Sequence, residues 1–123
     1  VHCRVIDVYD ADTITVCFFF LNKLFKVKCR LEGIDSAEKR TKNLEEKKAA
    51  LEATKWVQDQ ILNKIVWCQF GKWGKYGGRS ITKVFINNTD TKTFNNKIVE
   101  MGYAYSYNGG KKRCFEDWYN NRN

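Results

Sequence analysis

The chain has 123 residues, of which 43% are hydrophobic and 15% aromatic, so it is long and apolar enough for one compact domain with a core. Its formal net charge of +8 is typical of proteins with an anionic partner such as nucleic acid, although charge alone also fits a basic protein without one. The longest unbroken apolar run, residues 16–21, is far shorter than the ~20 residues needed to cross a bilayer. We therefore expect a single domain over residues 1–123 with no membrane partner.

Five cysteines are present, and no two of them form a CxxC pair. An odd number without that spacing indicates neither a disulfide framework nor a zinc site. We expect reduced and mostly buried thiols, which favours a reducing intracellular compartment. His2 is the only histidine, and this disfavours a Ser-His-Asp centre, a Cys-His centre or a multi-histidine metal site.

The first part of the chain predicts three strands. Residues 3–9 and 13–21 are rich in β-branched and aromatic side chains, and residues 21–23 suit the turn of a hairpin. From Phe25 to Leu31 apolar residues alternate with polar ones, which predicts one buried face and one solvent-exposed face. Arg30 falls on the exposed face of this third strand.

The remainder of the chain predicts helices and strands in turn. Residues 43–62 repeat apolar side chains at helical spacing, with Leu44, Leu51 and Val57 among them, and predict a long helix. The further predicted elements are strands at 65–70 and 81–86, a short helix at 94–101 and the start of another helix at 116–122. This order is typical of a β-barrel with helices, a five-stranded barrel such as the OB-fold, although other α+β sheets share it.

Two acidic clusters lie where predicted strands begin or end. Asp10 and Asp12 occupy the junction of the first two strands, and Asp35 and Glu38 follow the third. In a three-strand meander these positions come side by side, and oxygen-rich clusters suit hard cations such as calcium or magnesium. Taken alone, each cluster is more typical of turn-forming residues or of an acid at a helix start.

Arg30 changes that interpretation, because it precedes the second cluster on the same strand. Arginine presents a planar fork that matches the oxygens of a phosphate group. A cation, a carboxylate base and an arginine are together the groups that phosphodiester hydrolysis requires. The sequence therefore favours chemistry on nucleic acid carried by carboxylates and arginines.

Four segments of the chain resemble the staphylococcal nuclease (thermonuclease) family, in the family's order and at similar separations. These segments are Val8–Thr13, Cys29–Glu38, Lys75–Arg79 and Asn95–Gly102. The first two are specific when found together, whereas the last two are weak alone. The resemblance implies an OB-fold barrel with flanking helices and a calcium-dependent nuclease, a metal-dependent phosphodiesterase that acts on DNA or RNA.

The same resemblance implies a metal site and a general base. Asp12 and Asp35 match the carboxylates that ligate calcium, and the backbone carbonyl of Ser36 matches a third ligand. Asp10 matches an acid beside these ligands. Glu38 resembles the general base that activates water. The family's Asp-Thr-Pro-Glu is altered here, and loss of its proline frees the backbone of the segment that aims Glu38.

The resemblance also implies residues that bind the substrate. Arg30 and Arg79 resemble the two arginines that stabilise the phosphate in the transition state. Three residues fall where the family contacts nucleotide: Lys75, Tyr76 and Tyr107. Near the last of these the alignment is loose, so Tyr105 is an alternative and simple packing is equally typical of both tyrosines.

One glycine more than the family pattern precedes Arg79, since Gly77 and Gly78 both follow the lysine–tyrosine pair. On a regular strand one added residue turns a side chain to the opposite face. We expect a bulge or a wider turn to absorb the glycine, so that Arg79 faces the same concavity as Arg30. The alternative is a solvated Arg79 and a disabled site.

The predicted function is thus a calcium-dependent nuclease that acts as a monomer and needs no small-molecule cofactor. The main rival is a non-catalytic OB-fold module that binds nucleic acid through a degenerate site. A protein-interaction domain fits the polar clusters less well. The basic run Lys111–Arg113 is interpreted as a solvated surface rather than a localisation signal.

Overall fold

The structure is a computed structural model that describes residues 1–73 and 78–122. Within these residues the strands are β1 (His2–Asp10), β2 (Thr13–Phe20), β3 (Lys23–Leu31), β4 (Ile34–Ser36), β5 (Ile65–Trp73), β6 (Arg79–Phe85) and β7 (Ala104–Ser106). The helices are α1 (Leu44–Ile61), α2 (Phe94–Glu100) and α3 (Phe115–Tyr119). None of these helices is long and apolar enough to pass through a bilayer.

Five strands close into a barrel in the order β1-β2-β3-β6-β5, with β5 pairing back to β1. The β3–β6 pair is parallel and the other barrel pairs are antiparallel. The predicted five-stranded barrel with flanking helices is confirmed. The sequence did not predict β4 and β7, which form a separate antiparallel sheet, because three-residue strands are too short to show an alternation.

The barrel core is built from small and β-branched side chains, and α1 covers it. Ala49, Ala50 and Ala53 lie on the buried side of this helix, so its backbone can approach the barrel closely. The expectation that Leu44 and Leu51 mark the buried face is wrong, since both side chains are exposed. Helical spacing fits either face of a helix, and the alanines determine which one packs.

The alternating pattern of β3 holds for only half of the strand. Cys29 and Leu31 are buried in the barrel as predicted, but Phe25 is 41% exposed. Arg30 lies on the opposite, polar face and is partly exposed, as expected. The difference arises because β3 contacts β6 only from Lys28 onward, so the earlier part of the strand lies beyond the barrel.

A second, smaller apolar cluster supports the segment after β3. It joins α1, α3 and the β4–β7 sheet through Ala37, Ala50, Tyr105, Phe115 and Trp118. This cluster fixes both ends of the chain segment that carries the second acidic cluster. Its position sets where those acids lie relative to the barrel.

All five cysteines are free thiols in the structure. Those buried in the barrel are Cys3, Cys29 and Cys68, while Cys114 is exposed. Burial raises the pKa of the Cys29 thiol to about 11. The expectation of unpaired and mostly buried cysteines agrees with this arrangement.

Candidate active site

A polar pocket of about 190 Å³ opens at one end of the barrel. It is lined by Tyr9, Asp10, Asp12, Thr13, Arg30, Asp35, Ser36, Ala37, Glu38, Arg79 and Lys112. These residues come from the β1–β2 turn, β3, β4 and its following loop, the start of β6 and the C-terminal segment. The fold therefore brings together both predicted acidic clusters and both predicted arginines.

Strand pairing places the first acidic cluster beside Arg30. Thr13 at the start of β2 is the cross-strand partner of Arg30 near the end of β3. Asp12 lies in the tight turn just before Thr13, and its backbone carbonyl accepts a hydrogen bond from the Leu31 N–H at 2.8 Å. The two strands thus hold the turn against the end of β3.

The Arg30 guanidinium forms ion pairs with two buried carboxylates. One nitrogen contacts Asp12 Oδ2, and the other lies 3.1 Å from Asp35 Oδ1. Burial lowers the pKa of Arg30, but the two carboxylates outweigh this effect and raise the pKa above its usual value. Arg30 is therefore a fixed cation that links the two clusters.

Asp12 is held ionised by several donors. Its Oδ1 accepts a hydrogen bond from the Thr13 hydroxyl at 3.0 Å, and its Oδ2 accepts one from the Ser36 N–H at 3.2 Å. Burial raises the pKa of Asp12, but hydrogen bonding with Asp10 and the charge of Arg30 outweigh it and bring the pKa to about 2. The carboxylate is anionic throughout the physiological range.

Asp10 behaves differently from its neighbour. Its Oδ1 accepts a hydrogen bond from the Asp12 N–H at 3.4 Å. Burial and then the adjacent Asp12 side chain raise the pKa of Asp10 to about 7. The pair therefore carries less negative charge near neutral pH than two separate carboxylates would.

Asp35 lies on β4, where the short sheet places it opposite Tyr105 of β7. The Tyr105 hydroxyl donates to Asp35 Oδ2 at 2.7 Å and accepts from the Arg113 N–H at 3.1 Å. Burial and the nearby carboxylate raise the pKa of Tyr105 to about 12, so the hydroxyl keeps its proton. Tyr105 fixes the orientation of Asp35.

Lys112 is a pocket residue that the sequence interpretation missed. Its ammonium lies 3.5 Å from Asp35 Oδ1 and 3.9 Å from Glu38 Oε1. The run Lys111–Arg113 was interpreted as a solvated surface, and Lys112 is exposed as expected, but the sequence did not predict that its ammonium also contacts two pocket carboxylates. No local pattern could show that this lysine returns to the barrel end more than seventy residues along the chain.

Glu38 lies on the open side of the pocket, with its side chain 58% exposed. Its backbone N–H donates to Glu46 Oε2 at 3.2 Å, which ties the loop to the first turn of α1. That turn is capped by Asn43, whose side chain accepts from the N–H groups of Glu45 and Glu46. The helix start therefore steadies Glu38 without the proline that the family pattern has.

Arg79 is the first residue of β6 and lines the same pocket as Arg30. It pairs with Lys28 across the parallel β3–β6 ladder, and the preceding Gly78 adopts a left-handed φ of +76°. The β5–β6 pairing shifts register between Phe70 and Trp73, and the four residues before Gly78 lie outside the described residues. Arg79 thus lies in the concavity where the sequence analysis expected it.

Of the three remaining predicted substrate contacts, Tyr107 belongs to the described residues. Lys75 and Tyr76 fall outside the described residues. Tyr107 lines a neighbouring cavity beside Arg30 rather than the polar pocket, and its hydroxyl donates to the Gly110 carbonyl at 2.8 Å. Of the two tyrosines, Tyr105 is therefore the one that touches a pocket carboxylate.

A family model described as staphylococcal nuclease homologue matches residues 28–121, about three quarters of the chain. The chain belongs to the staphylococcal nuclease homologue family. A comparison with curated protein sequences gives no match.

The staphylococcal nuclease family is typically calcium-dependent, and the pocket was tested for donors that suit this ion. Its carboxylates and the Ser36 carbonyl are oxygen ligands of the kind that calcium prefers. Among residues 1–73 and 78–122, no group of three or more His, Cys, Asp or Glu side chains is arranged to hold a metal ion. The donor chemistry fits calcium, but Arg30 and Lys112 now occupy oxygens of Asp12 and Asp35.

Proposed function

We propose that this chain is a calcium-dependent nuclease that hydrolyses phosphodiester bonds of DNA or RNA. The observation that carries the proposal is the convergence in one pocket of buried carboxylates, an exposed carboxylate and two arginines. A pocket that only binds phosphate has no use for four acidic side chains. The nuclease family and the net charge of +8 support a nucleic-acid substrate.

Glu38 is proposed as the general base. Its side chain is half exposed and its nearest ionic contact is 3.9 Å away, so at least one carboxylate oxygen is open to water. The carboxylates of Asp12 and Asp35, by contrast, are buried among donors. Glu38 is therefore the pocket carboxylate best placed to remove a proton from an attacking water.

The two arginines are proposed to bind and stabilise the reacting phosphate. Arg30 lies in the pocket between Asp12 and Asp35, and we propose that its guanidinium turns to the phosphate when calcium takes these carboxylate oxygens. Arg79 forms no ion pair within the described residues, and its fork is available to phosphate oxygens. Arg79 is thus the arginine that can engage the substrate without first giving up an ion pair.

Asp12, Asp35 and the Ser36 carbonyl are proposed to hold calcium, which when bound polarises the phosphoryl oxygen. Asp12 is suited to this role because its pKa of about 2 keeps it ionised. Lys75, Tyr76 and Tyr107 remain proposed nucleotide contacts. We propose further that the enzyme is a monomer and uses no small-molecule cofactor.

Incubation with single-stranded DNA and with RNA, in calcium and then in chelator, tests the proposal. We expect cleavage in calcium that stops when the chelator is added and returns when calcium is restored. Magnesium should support less activity, because it demands tighter coordination geometry. Cleavage that persists at full rate in chelator would contradict the metal-dependent mechanism.

A non-catalytic nucleic-acid-binding module is the second candidate. It is favoured by Arg30 and Lys112, whose charges already satisfy oxygens that a calcium ion would need. Under this alternative the chain binds DNA with a steep salt dependence but cleaves nothing in any divalent cation. Fluorescence anisotropy and a cleavage assay on the same sample distinguish the two functions.

A further inference from the structure

The largest group of exposed apolar side chains lies far from the pocket, at the turn between β2 and β3. Phe19, Phe20, Leu21, Leu24 and Phe25 are all exposed, and Phe19 reaches 74% and Leu21 80%. Other exposed apolar residues, such as Leu44 and Met101, lie singly on the surface. Contiguous exposed apolar surface of this kind marks a site of interaction.

This hairpin extends beyond the barrel. Residues 18–27, which we call the hairpin tip, pair only with one another in the described strands, because β1 stops pairing at Cys17 and β6 begins at Lys28. A two-stranded ribbon without a covering layer gains little stability of its own. Phe18 and Val27 of the hairpin tip still pack against the barrel core, but the exposed Phe19, Phe20 and Leu21 are not explained by it.

Both faces of the hairpin tip are apolar. Phe19 and Leu24 are cross-strand partners on one face, next to a cavity of about 430 Å³ that continues to Ile65. On the other face the Phe18 and Phe25 rings stack with centroids 5.8 Å apart. Phe18 also packs against Phe70 of β5, so the apolar surface that stays exposed is formed by Phe19, Leu24 and Phe25, with Phe20 and Leu21 at the turn.

Leu21 occupies a turn position that disfavours it. Leu21 and Asn22 have φ values of 51° and 63°, the left-handed conformation that two-residue hairpin turns require. Asparagine and glycine adopt this conformation readily, whereas leucine is strained in it. Neither burial nor turn conformation accounts for a leucine at this position, and contact with something outside the chain would account for it.

The charge around the hairpin tip indicates what that contact is. The sequence has no acidic residue between Asp12 and Glu32, and Lys23, Lys26 and Lys28 are all exposed. Lys23 and Lys26 lie within the hairpin tip beside the apolar residues, and Lys28 follows on β3 where the barrel begins. A second copy of the chain would bring the same lysines against each other, and like charges oppose that contact.

We propose that the hairpin tip inserts into the surface of an anionic lipid bilayer. Phe19, Phe20 and Leu21 enter the boundary between headgroups and acyl chains, while Lys23 and Lys26 contact anionic headgroups. Insertion is shallow, because the outer strand edges carry backbone N–H and C=O groups that hydrocarbon cannot satisfy. This replaces the expectation of no membrane partner, which rested only on the lack of a spanning segment.

Co-sedimentation with vesicles tests the proposal. The chain should bind phosphatidylcholine vesicles that contain phosphatidylserine, and binding should weaken with salt and be far weaker to phosphatidylcholine alone. Phe19→Ser with Leu21→Ser should reduce binding ~tenfold or more, because large apolar side chains then no longer leave water. The matched control is Leu44→Ser, equally exposed at 79% but on α1, which should leave binding unchanged.

The lysines provide an independent comparison. Lys23→Glu with Lys26→Glu should abolish the preference for phosphatidylserine, whereas Lys47→Glu with Lys48→Glu changes net charge equally on the exposed surface of α1 and should weaken binding much less. Equal loss in both pairs would overturn the proposal, because binding would then reflect overall charge alone.

A fluorescence measurement serves if a double variant does not fold. The fluorescence of the tryptophan introduced by Leu21→Trp should be quenched by vesicles with brominated acyl chains. The fluorescence of the tryptophan introduced by Leu44→Trp should not be quenched. The absence of quenching at residue 21 would overturn insertion. The proposal is also overturned if the Phe19 and Leu21 changes reduce affinity for single-stranded DNA and not for vesicles, or if they only abolish self-association. None of these measurements depends on nuclease activity.

Discussion

The two ends of the β2–β3 hairpin carry opposite kinds of side chain, charged and paired at one end and apolar and exposed at the other. At the barrel end, Arg30 is surrounded by carboxylates that are in turn held by Thr13, Ser36 and Tyr105. At the other end, the hairpin tip exposes apolar side chains that pack against little of the barrel. The same two strands thus carry paired charges at one end and an exposed apolar surface at the other.

Folding requires that the buried charges at the barrel end are paired, but it does not require the exposed apolar side chains of the hairpin tip. Burial of a charge is costly unless it is paired, so the ion pairs of Arg30 with Asp12 and Asp35 offset the cost of burying these groups on folding. The exposed Phe19 and Leu21 are unfavourable for a different reason, because folding leaves their apolar surface in contact with water. A feature that folding does not require points to a contact outside the chain.

The largest expected effect is on the rate of cleavage and concerns Glu38, on the open side of the pocket. Glu38→Gln should leave the fold and DNA binding largely intact and slow cleavage by ~10²-fold or more, because glutamine cannot accept the proton of the attacking water. The rate is measured on single-stranded DNA in calcium. Glu52→Gln on the exposed surface of α1 is the matched control, and a Glu38 variant as fast as that control would remove Glu38 from the role of base.

The next effect is on stability, and it tests whether the hydrogen bonds around Asp35 contribute to folding. Tyr105→Phe leaves Asp35 Oδ2 and the Arg113 N–H without their shared hydroxyl, so the free energy of unfolding should fall by about 1–3 kcal/mol. Urea denaturation measures it. Tyr107→Phe removes a hydroxyl bonded to an exposed carbonyl and should cost much less stability. Equal losses would mean that burial of the bond does not matter.

A smaller effect concerns the cation that competes for the carboxylates. Lys112→Gln removes an ammonium 3.5 Å from Asp35, and calcium affinity should then rise about fivefold, because one repelling charge is lost. Isothermal titration calorimetry without nucleic acid measures this directly. The neighbouring Lys111→Gln is the control. Unchanged or weaker affinity in the Lys112 variant would show that this lysine does not restrict the site.

The smallest effect tests the apolar end. Leu21→Asn places a residue that favours the left-handed conformation at a φ of 51°, and it should raise the free energy of unfolding by about 0.5–1 kcal/mol. Urea denaturation measures the gain, with Leu44→Asn as an exposed control outside the turn. A loss of stability would mean that Leu21 contributes to folding after all, and the contrast between the two ends would weaken.

The sequence by itself determined the barrel, its long helix and most of the pocket. β-Branched and aromatic runs, turn residues and helical spacing are local signals, and each reports the conformation of the residues that carry it. The pairs Asp10–Asp12 and Asp35–Glu38 also have short spacings, so their grouping with Arg30 could be predicted from adjoining strands. How the added glycine before Arg79 is accommodated stays a prediction, because residues 74–77 lie outside the described residues.

Only the tertiary structure decided the contacts between distant segments. The β4–β7 pairing brings Tyr105 to Asp35, and the C-terminal segment returns Lys112 to the same carboxylate. It also decided which face of α1 is buried and that Phe25 lies beyond the barrel. A repeating pattern shows that an element has two faces, but which of them meets a neighbour depends on where the rest of the chain packs.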